Sequence, residues 1–148
     1  MKKLMSLSLI VVLFLLNGCS IEVDEPTFYL PTEKVTAVEI QKEYYDESGE
    51  TYYRKKVIKG DEQKDEICEM VRQFDGVRFA NSETPAIDNF ALVVILRGKT
   101  DHYLILNKEK GFYDGKAYKY TAPGVYESFE AFYSKLAVDE VDTVLEWG

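Results

Sequence analysis

The chain is poor in the residues that most often carry chemistry. Its 148 residues include one histidine, one tryptophan and two cysteines. P-loop, GxSxG, HExxH, CxxC and dinucleotide-fingerprint patterns are all absent, which removes the usual sequence evidence for an enzyme or a cofactor site. Basic charge is also scarce, with 18 Lys and Arg against 26 Asp and Glu and a net charge of −8. Nucleic-acid binding needs a basic footprint, so this balance argues against it. It argues equally against electrostatic adhesion to anionic lipid. There is no internal repeat and no low-complexity tract.

Only one long hydrophobic run is present, the thirteen residues Leu4 to Leu16, broken by Ser6 and Ser8. It is too short to span a hydrocarbon core of roughly 30 Å and matches the apolar part of an export signal. Lys2 and Lys3 supply the positive flank in front of it. Leu16-Asn17-Gly18-Cys19 closes the segment and resembles the lipobox of bacterial lipoproteins. That resemblance implies a diacylglyceryl group on the Cys19 sulfur, cleavage before Cys19 and acylation of the new amino terminus. Two or more acyl chains make a stable anchor, at roughly 0.8 kcal/mol per buried CH₂. With Cys19 lipidated, Cys68 is left alone and an internal disulfide is excluded.

Residues 1–18 are thus expected to be a signal peptide, 19–34 a lipid-anchored tether and 35–148 a single domain. Cleavage leaves 130 residues (148 minus 18), and loss of Lys2 and Lys3 takes the net charge from −8 to −10. A hydrophobic content of 46%, with 14% aromatic, fits a folded domain. In the tether, Pro26 and Pro31 among acidic residues favour an extended chain, and Phe28, Tyr29 and Leu30 could dock on the domain.

Alternation over Val35 to Tyr45, with a return through Thr51 to Ile58 rich in Thr, Tyr and Val around the turn residues Asp46 to Gly49, predicts a hairpin. Asp61 is a candidate N-cap for a helix with Ile67, Val71 and Phe74 on its apolar stripe and Gly76 just past its end. Val77 to Phe79 reads as a short strand, followed by a loop around Pro85. Phe90 to Leu96 and His102 to Leu106 form a second hairpin. With Gly98-Lys99 as a two-residue loop, Val94 would face Tyr103, Leu92 would face Ile105, and Val93 would face Leu104. Both faces of this hairpin are apolar, so it should be central and covered on both sides. Phe112-Tyr113 and Lys116 to Tyr120 are candidate short strands. Ser128 is a candidate cap for a final helix through Phe129, Phe132, Tyr133 and Leu136, with Val138, Val141, Val144 and Leu145 continuing at helical spacing. The fold class is α+β: an antiparallel sheet of about five strands, one helix after the first hairpin and a C-terminal helix covering the opposite face.

His102 could act as a general base or metal ligand, but local sequence supplies no partner, and the simpler reading is a solvent-facing strand residue. Cys68 could be a nucleophile paired in space with His102. Beside a core stripe, a thiol is more often an inert small hydrophobe. Asp61, Glu62, Asp65 and Glu66, and Asp139, Glu140 and Asp142, lack calcium-loop spacing and read as caps and solvated faces. Metal and cofactor are therefore expected to be none. Tyr44, Tyr45, Tyr52 and Tyr53 flank the first turn, and each adjacent pair must split between the sheet faces. They are the candidate binding surface, set against ordinary cross-strand packing.

Ile58-Lys59-Gly60-Asp61 and Ala122-Pro123-Gly124-Val125-Tyr126 also give the region Val35 to Tyr126 a resemblance to small Gram-positive lipoproteins of uncharacterised function. That resemblance implies no activity. The expectation is a non-catalytic module, lipid-anchored on the extracytoplasmic face of the cell membrane, that binds a protein or cell-envelope polymer. The alternative is an envelope-acting enzyme or enzyme inhibitor. Mass spectrometry of the membrane-extracted protein should show an acylated chain beginning at Cys19. An unacylated cytosolic species retaining Met1 would contradict the anchor.

Overall fold

The computed structural model describes residues 22–23, 34–74, 76–79 and 91–146. The signal segment, Cys19, Phe28 to Leu30 of the tether and the loop read around Pro85 lie outside the described residues. The strands are β1 (Glu22–Val23), β2 (Ala37–Tyr45), β3 (Thr51–Ile58), β4 (Gly76–Phe79), β5 (Leu92–Arg97), β6 (His102–Leu106), β7 (Lys110–Tyr113), β8 (Lys116–Tyr120) and β9 (Val141–Thr143). Among the described residues two helices, α1 (Asp61–Arg72) and α2 (Val125–Lys135), complete an α+β domain.

Seven consecutive antiparallel strands, in the order β8-β7-β6-β5-β2-β3-β9, make the body of the sheet, and β4 and β1 extend it past β8. The expected count of about five is therefore too low. Part of the excess is β9, which lies in the segment expected to be helical. Val138, Val141 and Val144 fit helical spacing, but they are β-branched and favour an extended chain. Val141 and Val144 are exposed rather than packed as a helical stripe. Other boundaries move for local reasons. Gly60 occupies the N-cap of α1, so Asp61 is its first helical residue, and Gln73 ends the helix while Gly76 opens β4. Gly124, left-handed at φ +83°, precedes α2, and Ser128 donates its hydroxyl to the Val125 carbonyl inside the helix instead of capping it.

The first hairpin has the expected strands. Val38 stands opposite Ile58 and Tyr45 opposite Thr51. Asp46 organises the turn by accepting the amide hydrogens of Ser48 and Glu50 and the Ser48 hydroxyl, at 2.8, 2.9 and 2.7 Å. The second hairpin is shifted by one residue. Val94 pairs with Leu104, Leu92 with Leu106 and Val93 with Ile105. The connection is longer than two residues because the Asp101 carboxylate accepts bonds from the Gly98 amide and the Arg97 guanidinium, at 3.3 and 2.6 Å. A one-residue slip exchanges the faces of a strand. Leu104 and Leu106 therefore join the face of Leu92 and Val94, and Ile105 goes to the other.

Leu92, Val94 and Ile105 are all buried, so the hairpin is covered on both sides as expected. The cover differs from expectation, because both helices lie on one face. Ile67, Cys68 and Val71 of α1 and Tyr126, Phe129, Phe132 and Tyr133 of α2 share a core with Val38, Ile40, Ile58, Val94 and Leu104. Each such aliphatic side chain contributes roughly 1.5–3 kcal/mol on burial. The opposite face carries a smaller cluster of Val93, Ile95, Ile105, Phe112 and Ala117, against which Tyr103 and Leu145 pack.

Arg97 ties that second face together. Its guanidinium reaches Glu39 at 3.0 Å, Asp101 at 2.6 Å and Glu146 at 2.6 Å, while Lys55 also reaches Glu39 at 3.0 Å. Glu146 donates its amide hydrogen to the fully buried Gln41 side chain. Burial pushes the Glu39 carboxyl up, but the bonds from Arg97 and Lys55 outweigh it and hold the group below its ordinary value. Glu140 behaves likewise, with the bond from Tyr44 and the charge of Arg54 opposing burial. Carboxyls depressed on folding stabilise the domain above their unfolded pKa and lose that contribution as pH falls through the folded value. The urea midpoint should therefore hold near neutral pH and fall below about pH 4.3, the ordinary glutamate value. Glu39→Gln should flatten part of that acid limb, and an unchanged limb would remove Glu39 from the account.

Candidate ligand-binding cleft

β2 outruns β5. Lys42 is the last β2 residue opposite β5, at Leu92, and Glu43 donates its amide hydrogen to the Ala91 carbonyl at 3.2 Å. Tyr44 and Tyr45 continue past that point. On the other side, β6 stops at Leu106 and the chain turns at Asn107. The Asn107 carboxamide oxygen accepts the Glu109 and Lys110 amide hydrogens at 2.9 and 2.8 Å. Tyr120 braces the turn from β8, its hydroxyl oxygen 2.7 and 2.8 Å from the Asn107 and Lys110 carbonyls. α2 closes the third side with Tyr126 and Glu130. These segments enclose a cleft of about 630 Å³ at one end of the sheet, lined by Lys42, Glu43, Tyr45, Ala91, Asn107 to Lys110, Tyr126 and Glu130. That volume falls in the range of small-ligand sites.

Its charged groups are partly paired within the walls. Lys42 meets Glu130 at 2.9 Å and stands over the Tyr44 and Tyr133 rings, 5.6 and 5.8 Å from their centroids. Tyr45 and Tyr53 both direct their hydroxyls to Glu43, at 2.9 and 3.4 Å. The bond to Glu43 raises the Tyr45 phenol. Burial, aided by Glu130, pushes Tyr126 up to about 12. All the lining tyrosines are therefore neutral hydrogen-bonding groups near pH 7. Among the described residues, Lys108, Glu109 and Lys110 form no salt bridge. The Lys110 ammonium lies 5.5 Å from the Phe112 ring centroid.

The structure divides the four candidate tyrosines two and two. Tyr44 and Tyr52 stack on the helix-bearing face with centroids 5.5 Å apart, and the Tyr44 hydroxyl donates to Glu140 at 2.8 Å. Tyr45 and Tyr53 lie on the other face with Glu43. Tyr45 is 61% exposed and Tyr52 43%, so the two most open rings point to opposite sides. They do not form one platform, and Tyr45 alone lines the cleft.

His102 has a partner that local sequence did not reveal. Its Nδ1 lies 2.7 Å from Asp114 Oδ2, and its ring stacks on Tyr113 at 6.2 Å. Asp114 sits at φ +44° before Gly115 at +77°, in the tight turn joining β7 and β8. Its other carboxylate oxygen accepts the Tyr103 amide hydrogen at 2.9 Å. This pair is remote from the cleft: four residue steps separate His102 from Leu106, about 13 Å at roughly 3.3 Å per residue. Cys68 is buried in the helix-side core, and burial pushes its thiol up, away from the reactive thiolate. In the two acidic clusters, Asp61 pairs with Lys64 at 2.7 Å, and Glu140 and Asp142 pair with Arg54 at 3.0 and 3.3 Å. Among the described residues, no group of three or more His, Cys, Asp or Glu side chains is placed to hold a metal ion, and no helix is long and apolar enough to cross a membrane.

Compared with protein families, curated proteins and solved structures, the chain matches none. Sequence reasoning missed Lys42, Glu43, Lys108, Tyr126 and Glu130 as a group. Their only individual signals were turn chemistry at Asn107 and the start of an amphipathic helix.

Proposed function

We propose that this protein is a lipoprotein anchored through Cys19 on the extracytoplasmic face of the cell membrane, and that its α+β domain binds a protein or cell-envelope partner without catalysis. The observation that carries the reading is the placement of the cleft relative to the start of the domain. Thr36 enters the sheet beside Arg97, donating its amide and hydroxyl hydrogens to the Arg97 carbonyl at 2.8 and 3.1 Å, and the Lys34 carbonyl stands beside Gly98. The cleft lies at the far end of β2, around Tyr45. Eight residue steps separate Ala37 from Tyr45, roughly 26 Å of strand. The anchor at Cys19 precedes β1 by three residues, and Glu22 of β1 pairs with Phe79 at the end of β4 away from Gly76 and Tyr120, so both β1 and Thr36 enter the sheet from the end remote from the cleft. The acidic charge acts in the same direction, since it repels an anionic membrane surface.

The second reading, an envelope-acting enzyme or enzyme inhibitor, has the His102–Asp114 pair in its favour. Catalysis at that pair would need a substrate space around it. The cleft instead converges tyrosines, lysines and glutamates without the histidine, which favours binding.

Photo-crosslinking in intact cells separates the two ends. A benzoylphenylalanine in place of Lys108 should capture the partner, and one in place of Thr100, in the β5–β6 loop, should not. Capture from Thr100 alone would overturn the assignment of the binding end.

A further inference from the structure

We infer that the cleft receives a segment of a neutral, hydroxyl-rich saccharide chain; this names the ligand class of the site proposed above and rests on that proposal. Charge balance is the first reason. Among the described lining residues, three lysines, Lys42, Lys108 and Lys110, stand with three glutamates, Glu43, Glu109 and Glu130. No excess of either sign remains to favour a polyanion or a polycation, and the net charge of −8 works against a polyanion. Sugar hydroxyls act as donor and acceptor at once, and they match a wall of alternating ammonium and carboxylate groups through charge-assisted hydrogen bonds.

The aromatic edge is the second reason. Tyr45 is 61% exposed, yet its hydroxyl is tied to Glu43 at 2.9 Å, so the ring is presented rather than free to fold away. An aromatic face held at the rim of a polar cleft suits the C–H face of a pyranose ring. The third reason weighs against a protein segment. Protein interfaces are anchored by aromatic or aliphatic side chains buried in apolar pockets. Among the described lining residues Ala91 is the only aliphatic one, and it offers no such pocket. The placement at the end of the sheet remote from Lys34 adds a fourth. A ligand approaching from beyond the membrane meets this end first, as an envelope polymer would.

The test is calorimetric titration of the mature lipidated protein in nanodiscs with cellotetraose and, separately, chitotetraose. Saturable binding of at least one is expected. Tyr45→Ala should weaken it tenfold or more, and Lys108→Ala should weaken it measurably. Tyr52→Ala, on the opposite face, should leave it unchanged. Both tyrosines are exposed, and circular dichroism checks that each variant stays folded. Unchanged affinity in Tyr45→Ala would overturn the assignment of the ligand to this cleft. Failure of both tetraoses to bind, together with capture of a protein from position 108 in cells, would overturn the saccharide class and leave the binding function standing. Failure of both tetraoses with no capture from position 108 would overturn both.

Discussion

A buried lysine positions helix α2. Lys56, 7% exposed on β3, donates to the carbonyls of Tyr133 and Leu136, each at 2.9 Å, and lies 4.7 Å from the Tyr133 ring centroid. An ammonium removed from water costs several kcal/mol unless it is paired or fully hydrogen-bonded. Here it finds carbonyls at the C-terminal end of α2, where the helix dipole is negative and the Tyr133 carbonyl otherwise accepts only the Leu136 amide hydrogen, at 3.3 Å. Leu136 leaves that helix extended, so no left-handed glycine satisfies those carbonyls. The lysine therefore caps the helix and fastens it to the sheet in one contact. Lys42–Glu130 is a second tie nearer the N-terminal end. Between them they hold Tyr126 and Glu130 as the third wall of the cleft.

The second face is closed by different means. After Leu136 the chain passes along the sheet edge as β9, bonded to β3 between Tyr53–Thr143 and Lys55–Val141. Glu140 engages Tyr44 and Arg54, while Leu145 and Glu146 reach Val93, Ile95, Gln41 and Arg97 beyond that edge. A single C-terminal segment thus serves both layers. Its polar ends fix it in place, because Leu145 alone would bury too little surface to order the strand.

Much of this was legible in the sequence. The β2–β3 hairpin follows from alternation through Val38, Ile40 and Tyr44, a β-rich return strand and the turn residues Asp46 to Gly49, and α1 from a clear stripe ending in Phe74. What failed did so where two periodicities or two loop lengths were both permitted. Val138, Val141 and Val144 suit a helix by spacing and a strand by branching, and only pairing with β3 decides between them. The β5–β6 register turned on one carboxylate, Asp101, whose bonds lengthen the loop and exchange the faces of Leu104 and Ile105. The cleft was not legible because four separate segments supply it, and no two of its walls are neighbours in the chain. Asp114 escaped notice for the same reason, lying twelve residues from His102.

The central physical claim is that the Lys56 ammonium holds α2, and with it the cleft, on the sheet. Amide hydrogen exchange of Lys56→Met tests it most directly, because methionine keeps the apolar stem while removing the charge and the donors. Protection should fall across Val125 to Lys135 while the amides of β5 and β6 stay protected. Unchanged protection throughout α2 would show that its apolar face alone suffices, and the claim would fail.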